Sequence, residues 1–203
     1  MAANARVWRN RLIASTILAV LVFGSLGVGL AVGLFRPTAQ QTVEIGGPFT
    51  LTDQNGAAFP DSNLRGKPFT VFFGFTHCPE VCPTTLWEMS EALKALGPDA
   101  DKLRVLFISV DPMRDTPDVL SRYMQSFDQR IVGLTGSEED IATVGKAYRA
   151  YWEKILTDDG DYTMNHTASI FMMDADGRFI GTIAYEEKAD VRLAKLKRLI
   201  SGS

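Results

Sequence analysis

The segment Phe69-Thr-Val-Phe-Phe-Gly-Phe75 consists mainly of aromatic and β-branched residues and carries no charge. A run of this kind predicts a central strand that is buried on both faces of a sheet. Apolar residues at three- and four-residue steps follow it and predict a helix from about Pro83 to Leu96, which Gly97-Pro98 ends. The residues between Phe75 and Pro83 therefore lie at a strand-to-helix junction.

The rest of the chain repeats this alternation of strands and helices. Further strands are predicted at Phe49–Thr52, before the turn Asp53–Gly56, and at Arg104–Val110, Ile131–Leu134, Ser169–Met173 and Phe179–Ile183. Further helices are predicted after Thr116-Pro117, from a capping box of Ser137 and Asp140 to about Ile155, and around Val191–Ile200. This order, which closes with a hairpin, predicts an α/β fold with a central mixed β-sheet flanked by helices.

Composition and charge exclude two classes of protein. The chain has 203 residues, 46% of them hydrophobic and 22% charged, which excludes a disordered chain. Four of the 21 basic residues lie in the first 36, which contain no acid, so residues 37–203 set 17 bases against 24 acids. Nucleic-acid binding needs a basic surface that neutralises phosphates. The acidic balance excludes nucleic acid as a partner.

The N-terminal region predicts one transmembrane helix. Residues 12–35 are a run of 24 without a charge, and a helix of that length reaches ~36 Å across a bilayer core of ~30 Å. A cleaved signal peptide is the alternative, but its apolar region is usually ~7–15 residues long. Three arginines precede the run and one follows it before Arg65, which places the N-terminus in the cytoplasm. The predicted divisions are a cytoplasmic N-terminus (1–11), an anchor (12–35), a polar linker (36–48) and one exported domain (49–203).

The two cysteines of the chain, Cys78 and Cys82, both lie at the strand-to-helix junction. A structural disulfide is the simplest interpretation in an exported protein, but a bridge that closes so short a loop removes little chain entropy. A helix N-terminus lowers the pKa of a thiol and favours the thiolate, which attacks disulfides and binds metal. Cysteines four apart on a helical turn also have Cβ atoms ~5–6 Å apart, which suits two thiolates on one ion. We therefore expect a functional site at this junction, in which the two cysteines bind metal or exchange disulfides.

A metal ion held by two thiolates would need a further ligand. Two thiolates and an imidazole select copper, whereas structural zinc normally takes four protein ligands. The chain has two histidines, His77 and His166. Neighbouring side chains on a helix point in different directions, which disfavours His77 as the partner of Cys78. His166 precedes the predicted strand 169–173, at the mouth of the sheet where functional residues accumulate, but spacing alone leaves the choice open.

Three segments resemble the signature segments of the Sco/SenC family. They are Phe75-Thr-His-Cys-Pro-Glu-Val-Cys-Pro-Thr-Thr85, Ser109-Val-Asp-Pro-Met-Arg-Asp-Thr-Pro117 and Asn165-His-Thr-Ala-Ser-Ile-Phe171. The resemblance covers about residues 45–200 and implies a thioredoxin-like fold in a membrane-anchored protein that helps deliver copper to cytochrome c oxidase. It implies that Cys78 and Cys82 are the copper-binding thiolates and that His166 is the distal histidine ligand. Such a site would hold Cu(I) in near-trigonal geometry, and Cu(II) would recruit another ligand.

Several other residues are weaker candidates. Asp111 resembles a family residue that orients a ligand, although turn chemistry from Asp-Pro and Thr-Pro explains its position equally well. Four methionines offer thioether sulfurs to copper, although methionines more often fill gaps in a core. They are Met113, Met164, Met172 and Met173.

Two functions are compatible with these residues. A copper chaperone, which is not an enzyme, would hold Cu(I) at Cys78, Cys82 and His166 and pass it to the copper-site subunit of cytochrome c oxidase. Other copper carriers or thiol reductants would serve it. A thiol–disulfide oxidoreductase or redox sensor would instead attack through Cys78 and resolve through Cys82.

The sequence favours the copper chaperone over the oxidoreductase. An oxidoreductase of this fold typically has a Cys-x-x-Cys pair with a cis-proline opposite, but this chain has the longer Cys78–Cys82 spacing and Thr167-Ala168 at that position. The oxidoreductase also has no use for His166. Short N-terminal flanks without an Arg/Ser-rich transit peptide favour a bacterial inner membrane, with the domain in the periplasm.

Overall fold

The computed structural model describes residues 44–202. The predicted anchor, residues 12–35, lies outside the described residues, as do residues 36–43 of the predicted linker. Within residues 44–202, no helix combines the length and apolar character needed to cross a membrane.

Strands and helices alternate along the described residues. The strands are β1 (Thr50–Asp53), β2 (Ala58–Pro60), β3 (Phe69–Gly74), β4 (Arg104–Ser109), β5 (Ile131–Thr135), β6 (Trp152–Leu156), β7 (Tyr162–His166), β8 (Ile170–Met173) and β9 (Phe179–Ile183). The α-helices are α1 (Val81–Leu96), α2 (Pro117–Met124), α3 (Glu138–Tyr148) and α4 (Ala189–Ser201). Two short 3-10 helices cover Asp61–Leu64 and Gly97–Lys102.

Seven of these strands form one mixed sheet. Its order is β2-β1-β5-β4-β3-β8-β9. The pairs β3–β4 and β4–β5 are parallel, whereas β8 runs antiparallel to β3. All six residues of β3 are buried, which is the burial expected of a central strand with both faces covered. The predicted α/β fold with a central mixed sheet and flanking helices is therefore observed.

The topology brings three loops to one end of the sheet. Parallel strands β3 and β4 end at the same edge, so the loops that follow Gly74 and Ser109 are neighbours. Strand β8 runs the other way, with Val71 of β3 paired with Phe171. The residues just before Ile170 therefore arrive where β3 ends. Segments distant in sequence meet at this edge, as is typical of sites in α/β proteins.

The predicted helix boundaries agree with the structure to within a few residues, except at the end of α3. Thr116 caps α2 by accepting a hydrogen bond from the Val119 amide (3.4 Å), and Ser137 and Asp140 form the predicted capping box. The prediction that this helix continues to about Ile155 is wrong, because α3 ends at Tyr148 and Arg149 adopts a left-handed conformation (φ 54°).

Beyond α3, the chain forms a hairpin that sequence analysis missed. Strands β6 and β7 make a separate two-stranded antiparallel sheet, in which Trp152 is paired with His166. The ring of Trp152 packs over Gly145 of α3, at a place that a larger side chain would occupy. The helix stops because the chain must turn back for this contact. His166 consequently lies at the end of β7, a strand that sequence analysis did not predict, and the chain then enters β8 at Ile170.

Candidate metal centre

The junction between β3 and α1 holds both cysteines in different environments. Helix α1 begins at Val81, two residues before the predicted start, so Cys82 lies in its first turn and Cys78 precedes it. Cys82 is fully buried, whereas Cys78 is half-buried. The Cys82 amide donates a hydrogen bond to the Cys78 sulfur (3.4 Å). A free amide at the helix N-terminus thus points at one of the thiols.

His166 joins the cysteines from the missed hairpin. Its Nε2 lies 3.4 Å from Cys82 Sγ, and its Nδ1 lies 3.1 Å from the carbonyl oxygen of Thr167. Because a carbonyl oxygen only accepts hydrogen bonds, Nδ1 carries the proton in this arrangement. The lone pair of Nε2 is then directed toward the sulfur, which is the tautomer that a metal-binding histidine needs.

Two phenylalanines hold the imidazole ring. The centroids of Phe72 and Phe75 lie 6.0 Å and 5.7 Å from that of His166, with interplanar angles of 64° and 88°. These edge-to-face contacts restrict ring rotation and exclude water from one side of the imidazole. Sequence analysis identified both residues as strand residues only, because nothing in a run of aromatic residues shows which of them faces a histidine.

The three side chains form a compact set of donor atoms. The ligand atoms of Cys78, Cys82 and His166 all lie within 4.8 Å of one another. Two soft sulfurs and one imidazole are too few for a structural zinc site but suit Cu(I), which accepts low coordination numbers with thiolate ligands. The structure therefore brings together the three residues that sequence analysis singled out, in a geometry that a single metal ion can bridge.

His77, the competing histidine, points elsewhere. Its Nδ1 lies 3.0 Å from Thr76 Oγ1 and 3.8 Å from Asp115 Oδ1, and half of its side chain is exposed. The structure thus places His166, and not His77, beside the two cysteines.

The two thiols differ in acidity. The hydrogen bond with the Cys82 thiol is the largest of several effects that, against the opposing effect of partial burial, lower the pKa of Cys78 to about 3. Burial raises the pKa of Cys82, and the neighbouring Cys78 raises it further. These opposite shifts favour ionisation of the half-buried Cys78 over that of the buried Cys82.

A buried carboxylate supports the start of the cysteine loop. Asp115 is fully buried and accepts hydrogen bonds from the amide (2.9 Å) and the hydroxyl (2.6 Å) of Thr76 and from the hydroxyl of Ser109 (2.5 Å). These bonds fix the backbone two residues before Cys78. The sequence pattern Asp-Thr-Pro suggested only a turn, so this role of Asp115 was not predicted.

Asp111 lies beside the site and is almost fully buried. It accepts hydrogen bonds from Arg114 Nε (2.5 Å) and from the Tyr162 hydroxyl (2.9 Å). Within residues 44–202, Asp111 makes no hydrogen bond to Cys78, Cys82 or His166. Any influence of Asp111 on the ligands must pass through its partners, and Tyr162 is on the same hairpin as His166.

The structure separates the four methionines. Met172 and Met173 are buried in β8 and belong to the core, whereas Met113 is 71% exposed. Met164 is half-buried and lines a pocket of about 230 Å³ together with Cys78 and His166. Met164 is therefore the methionine that shares a pocket with the candidate metal ligands.

The chain is similar to a well-defined set of known proteins. A family model described as SCO1/SenC matches residues 37–201. The mitochondrial protein SCO2 of Saccharomyces cerevisiae is 38% identical over 167 residues, which cover 81% of this chain and 56% of the yeast protein. An SCO2-like protein of Rickettsia felis is 37% identical over 143 residues, 70% of each chain.

Solved structures agree in architecture. The copper-bound structure of ScoI from Bradyrhizobium japonicum is 54% identical and has a TM-score of 0.72, covering 76% of this chain and 99% of that one. The copper-bound structure of yeast Sco1 is 32% identical, with a TM-score of 0.72 and coverage of 79% and 90%. The mixed sheet with flanking helices matches these structures and is consistent with the expected thioredoxin-like fold.

Proposed function

This chain belongs to the SCO1/SenC family, and from that premise we propose that it binds copper and delivers it to cytochrome c oxidase during assembly of that enzyme. The observation that carries the proposal is the cluster of Cys78, Cys82 and His166, whose ligand atoms lie within 4.8 Å of one another. Thiolate sulfur and imidazole nitrogen together favour Cu(I) over harder cations.

The comparisons support copper as the cargo. The Bradyrhizobium and yeast relatives were solved with copper bound. We propose that Cys78, Cys82 and His166 hold Cu(I) in a three-coordinate site, and that Cu(II) would take a further ligand. Such a site is half-open, because Cys78 and His166 both line a surface pocket. An acceptor that offers its own sulfur and imidazole ligands could therefore replace those of this chain one at a time.

We place the protein in a bacterial inner membrane. The proposal rests on the uncharged residues 12–35, on the three arginines before them and on the acidic domain that follows. The N-terminus would be cytoplasmic and the domain periplasmic. Its partners would be the copper-site subunit of cytochrome c oxidase and the copper carriers or thiol reductants that load it. Delivery of a bound ion is not itself catalysis, so this function is not enzymatic.

One observation favours a second candidate function, thiol–disulfide exchange. The low pKa of Cys78 and the burial of Cys82 divide the pair into an attacking thiolate and a resolving thiol. In this reaction the Cys78 thiolate attacks a substrate disulfide, releases one substrate thiolate, and Cys82 then displaces the second to form the Cys78–Cys82 disulfide. The cysteines of an oxidase copper site are a substrate of the required class.

A transfer assay tests the proposed delivery. The full chain, loaded with one equivalent of Cu(I), is mixed with the reduced copper-site domain of an oxidase subunit, and copper is measured on each protein after separation. We expect copper to move to the oxidase domain. Retention of all copper on this chain would overturn the proposal. In a parallel assay, the reduced, copper-free chain is mixed with the oxidised oxidase domain. Reduction of that domain, together with no copper transfer in the first assay, would favour the second function.

A further inference from the structure

The hairpin β6–β7, which carries His166, lies outside the main sheet. Four of the five residues of β6 are exposed, and most of β7 is half-buried. A two-stranded hairpin of this kind has little stability of its own. The distance between His166 and the cysteines therefore depends on the contacts that fix the hairpin to the rest of the domain.

Tyr162, at the start of β7, makes one of these contacts. Its ring lies between two cations: Arg114 Cζ is 3.6 Å from the ring centroid, and Lys154 Nζ is 3.5 Å from it. Lys154 belongs to the hairpin, whereas Arg114 belongs to the loop after β4. The Tyr162 hydroxyl also donates a hydrogen bond to Asp111 Oδ1 (2.9 Å). Both the face and the end of this ring are thus held by the loop that follows β4.

Arg114 connects the three segments of the site. Its side chain is 16% exposed, its Nε donates to Asp111, and its Nη1 donates to the backbone carbonyl of Tyr162 (2.9 Å). Its Cζ is also 5.9 Å from the ring of Phe75, which packs edge-on against His166. Only a planar guanidinium can direct separate N–H groups at a carboxylate and a carbonyl while its face covers an aromatic ring.

We propose that Arg114, Asp111 and Tyr162 form a clamp that sets the position of His166 relative to Cys78 and Cys82. This inference rests on the proposed copper site, in which these three are positioning residues that do not touch the metal. The clamp gives Asp111 a defined task, which is to orient Arg114 and Tyr162 together.

The clamp acts on copper affinity through the population of the binding-competent hairpin. If the hairpin presents His166 correctly in only a tenth of the molecules, the apparent affinity falls tenfold, because the metal must select that fraction. Loss of residues that orient metal ligands typically weakens metal binding ~10–100-fold. We expect about tenfold weaker Cu(I) binding when the clamp is opened, equivalent to about 1.4 kcal/mol.

A copper-free NMR experiment tests the position of His166 directly. The full chain in detergent micelles is labelled with ¹³C at its two histidines, and the signals are assigned with His77→Ala and His166→Ala. Because the rings of Phe72 and Phe75 lie close to the imidazole, their ring currents should displace the His166 signal. In Arg114→Gln and Tyr162→Leu this signal should move toward that of free imidazole. The control is Arg178→Gln, which replaces an exposed arginine in another turn and should leave the His166 signal in place. An unchanged His166 signal in both clamp variants would overturn the proposal.

A double-mutant cycle then links the clamp to the metal. Arg114→Gln should weaken Cu(I) binding about tenfold in the otherwise wild-type chain and have no further effect in His166→Ala. An equal loss in both backgrounds would show general damage and contradict the clamp. Arg114→Lys keeps the positive charge but lacks the planar guanidinium with its separate N–H groups, so it should recover part of the Cu(I) affinity. Circular dichroism verifies that each variant is folded. If the wild-type chain bound no Cu(I), the proposed function would fail, and the NMR result would still decide the clamp.

Discussion

Cys82 Sγ and His166 Nε2 lie 3.4 Å apart although 84 positions separate them in the sequence. The topology explains the contact, since the cysteine loop leaves the end of β3 and β8 begins beside that end in the opposite direction. The hairpin β6–β7 enters β8 from the same edge and carries His166 inward. The site therefore takes two ligands from one strand-to-helix junction and the third from a hairpin outside the main sheet.

Gly74 provides space for Cys82, and its replacement should move the sulfur. A Cβ atom at this position would lie 2.7 Å from Cys82 Sγ and 2.7 Å from Phe107 Cε2. Gly74→Ala should therefore weaken Cu(I) binding and lower the free energy of unfolding by about 1–3 kcal/mol. Gly133→Ala is the matched control, because its Cβ would meet Leu120 and Met124 at 2.9 Å. It should reduce stability but not copper affinity, and equal affinities for both variants would argue against the role of Gly74.

The thiolate on Cys78 should persist far into the acidic range. Its pKa is lowered to about 3, so alkylation of the reduced protein by iodoacetamide should stay fast from pH 8 down to about pH 4. Cys82→Ala removes the largest cause of the lowering and should shift the pH profile of Cys78 alkylation to higher pH. The measurement is the alkylation rate against pH by mass spectrometry. A wild-type profile centred near pH 8–9, as for an ordinary thiol, would contradict this assignment.

The lowered pKa of Cys78 also predicts how the stability of the folded protein changes with pH. Since the Cys78 pKa is lower in the folded than in the unfolded chain, this thiol contributes stability that is complete above the unfolded pKa. That contribution is lost as the pH falls toward 3. The reduced wild-type protein should therefore lose stability relative to Cys78→Ala as the pH is lowered from 8 to 4. Thermal unfolding of the two proteins across this range measures the difference, and a constant difference would refute it.

Asp115 should stabilise the folded protein by accepting hydrogen bonds from Thr76 and Ser109. Asp115→Ala leaves the Thr76 amide and the Ser109 hydroxyl without their acceptor, and each buried unsatisfied group costs about 1–3 kcal/mol. For a domain of this size, 1 kcal/mol lowers the unfolding midpoint by about 2–4 °C. Asp99→Ala, which removes an exposed partner of Lys102, should leave the midpoint near the wild-type value. Similar midpoints for the two variants would show that the buried network is dispensable.

Replacement of His166 separates the two candidate functions. His166→Ala should abolish tight copper binding but leave disulfide exchange by Cys78 and Cys82 largely intact, because exchange needs only the two thiols. The rate of reduction of a peptide disulfide and the Cu(I) affinity are measured on the same preparation. Equal loss of both activities would mean that His166 holds the loop together and does not serve as a ligand.

Much of this architecture could be predicted because local signals were strong. The apolar run of β3, the capping box at Ser137 and the turn after Met173 all report on neighbouring residues, and each lies where the pattern indicated. The predicted C-terminal end of α3, at about Ile155, lay beyond the observed end at Tyr148. The sequence after Tyr148 remains compatible with a helix, and the contact between Trp152 and Gly145 that ends it is tertiary.

The candidate site was only partly predictable. Cys78 and Cys82 could be singled out because they are the two cysteines of the chain and lie at one junction. Of the two histidines, His166 was chosen through the resemblance to the Sco/SenC family, because spacing alone left the choice open. The hairpin that delivers His166 had one local signal, the Asp159-Gly160 turn between two short alternating segments, and that signal went unused. The contacts of Tyr162 with Arg114 and of Thr76 with Asp115 join distant segments, so no local pattern reports them.

Copper binding by the reduced chain tests the central claim most directly. Cu(I) is titrated against a competing Cu(I)-specific chelator, with the wild-type chain compared with Cys78→Ala, Cys82→Ala and His166→Ala, and with His77→Ala as the matched histidine control. We predict one tight equivalent that is lost or sharply weakened in the first three variants and kept in His77→Ala. Weak binding that is indifferent to His166 would contradict the three-ligand copper site and leave thiol–disulfide exchange as the better account.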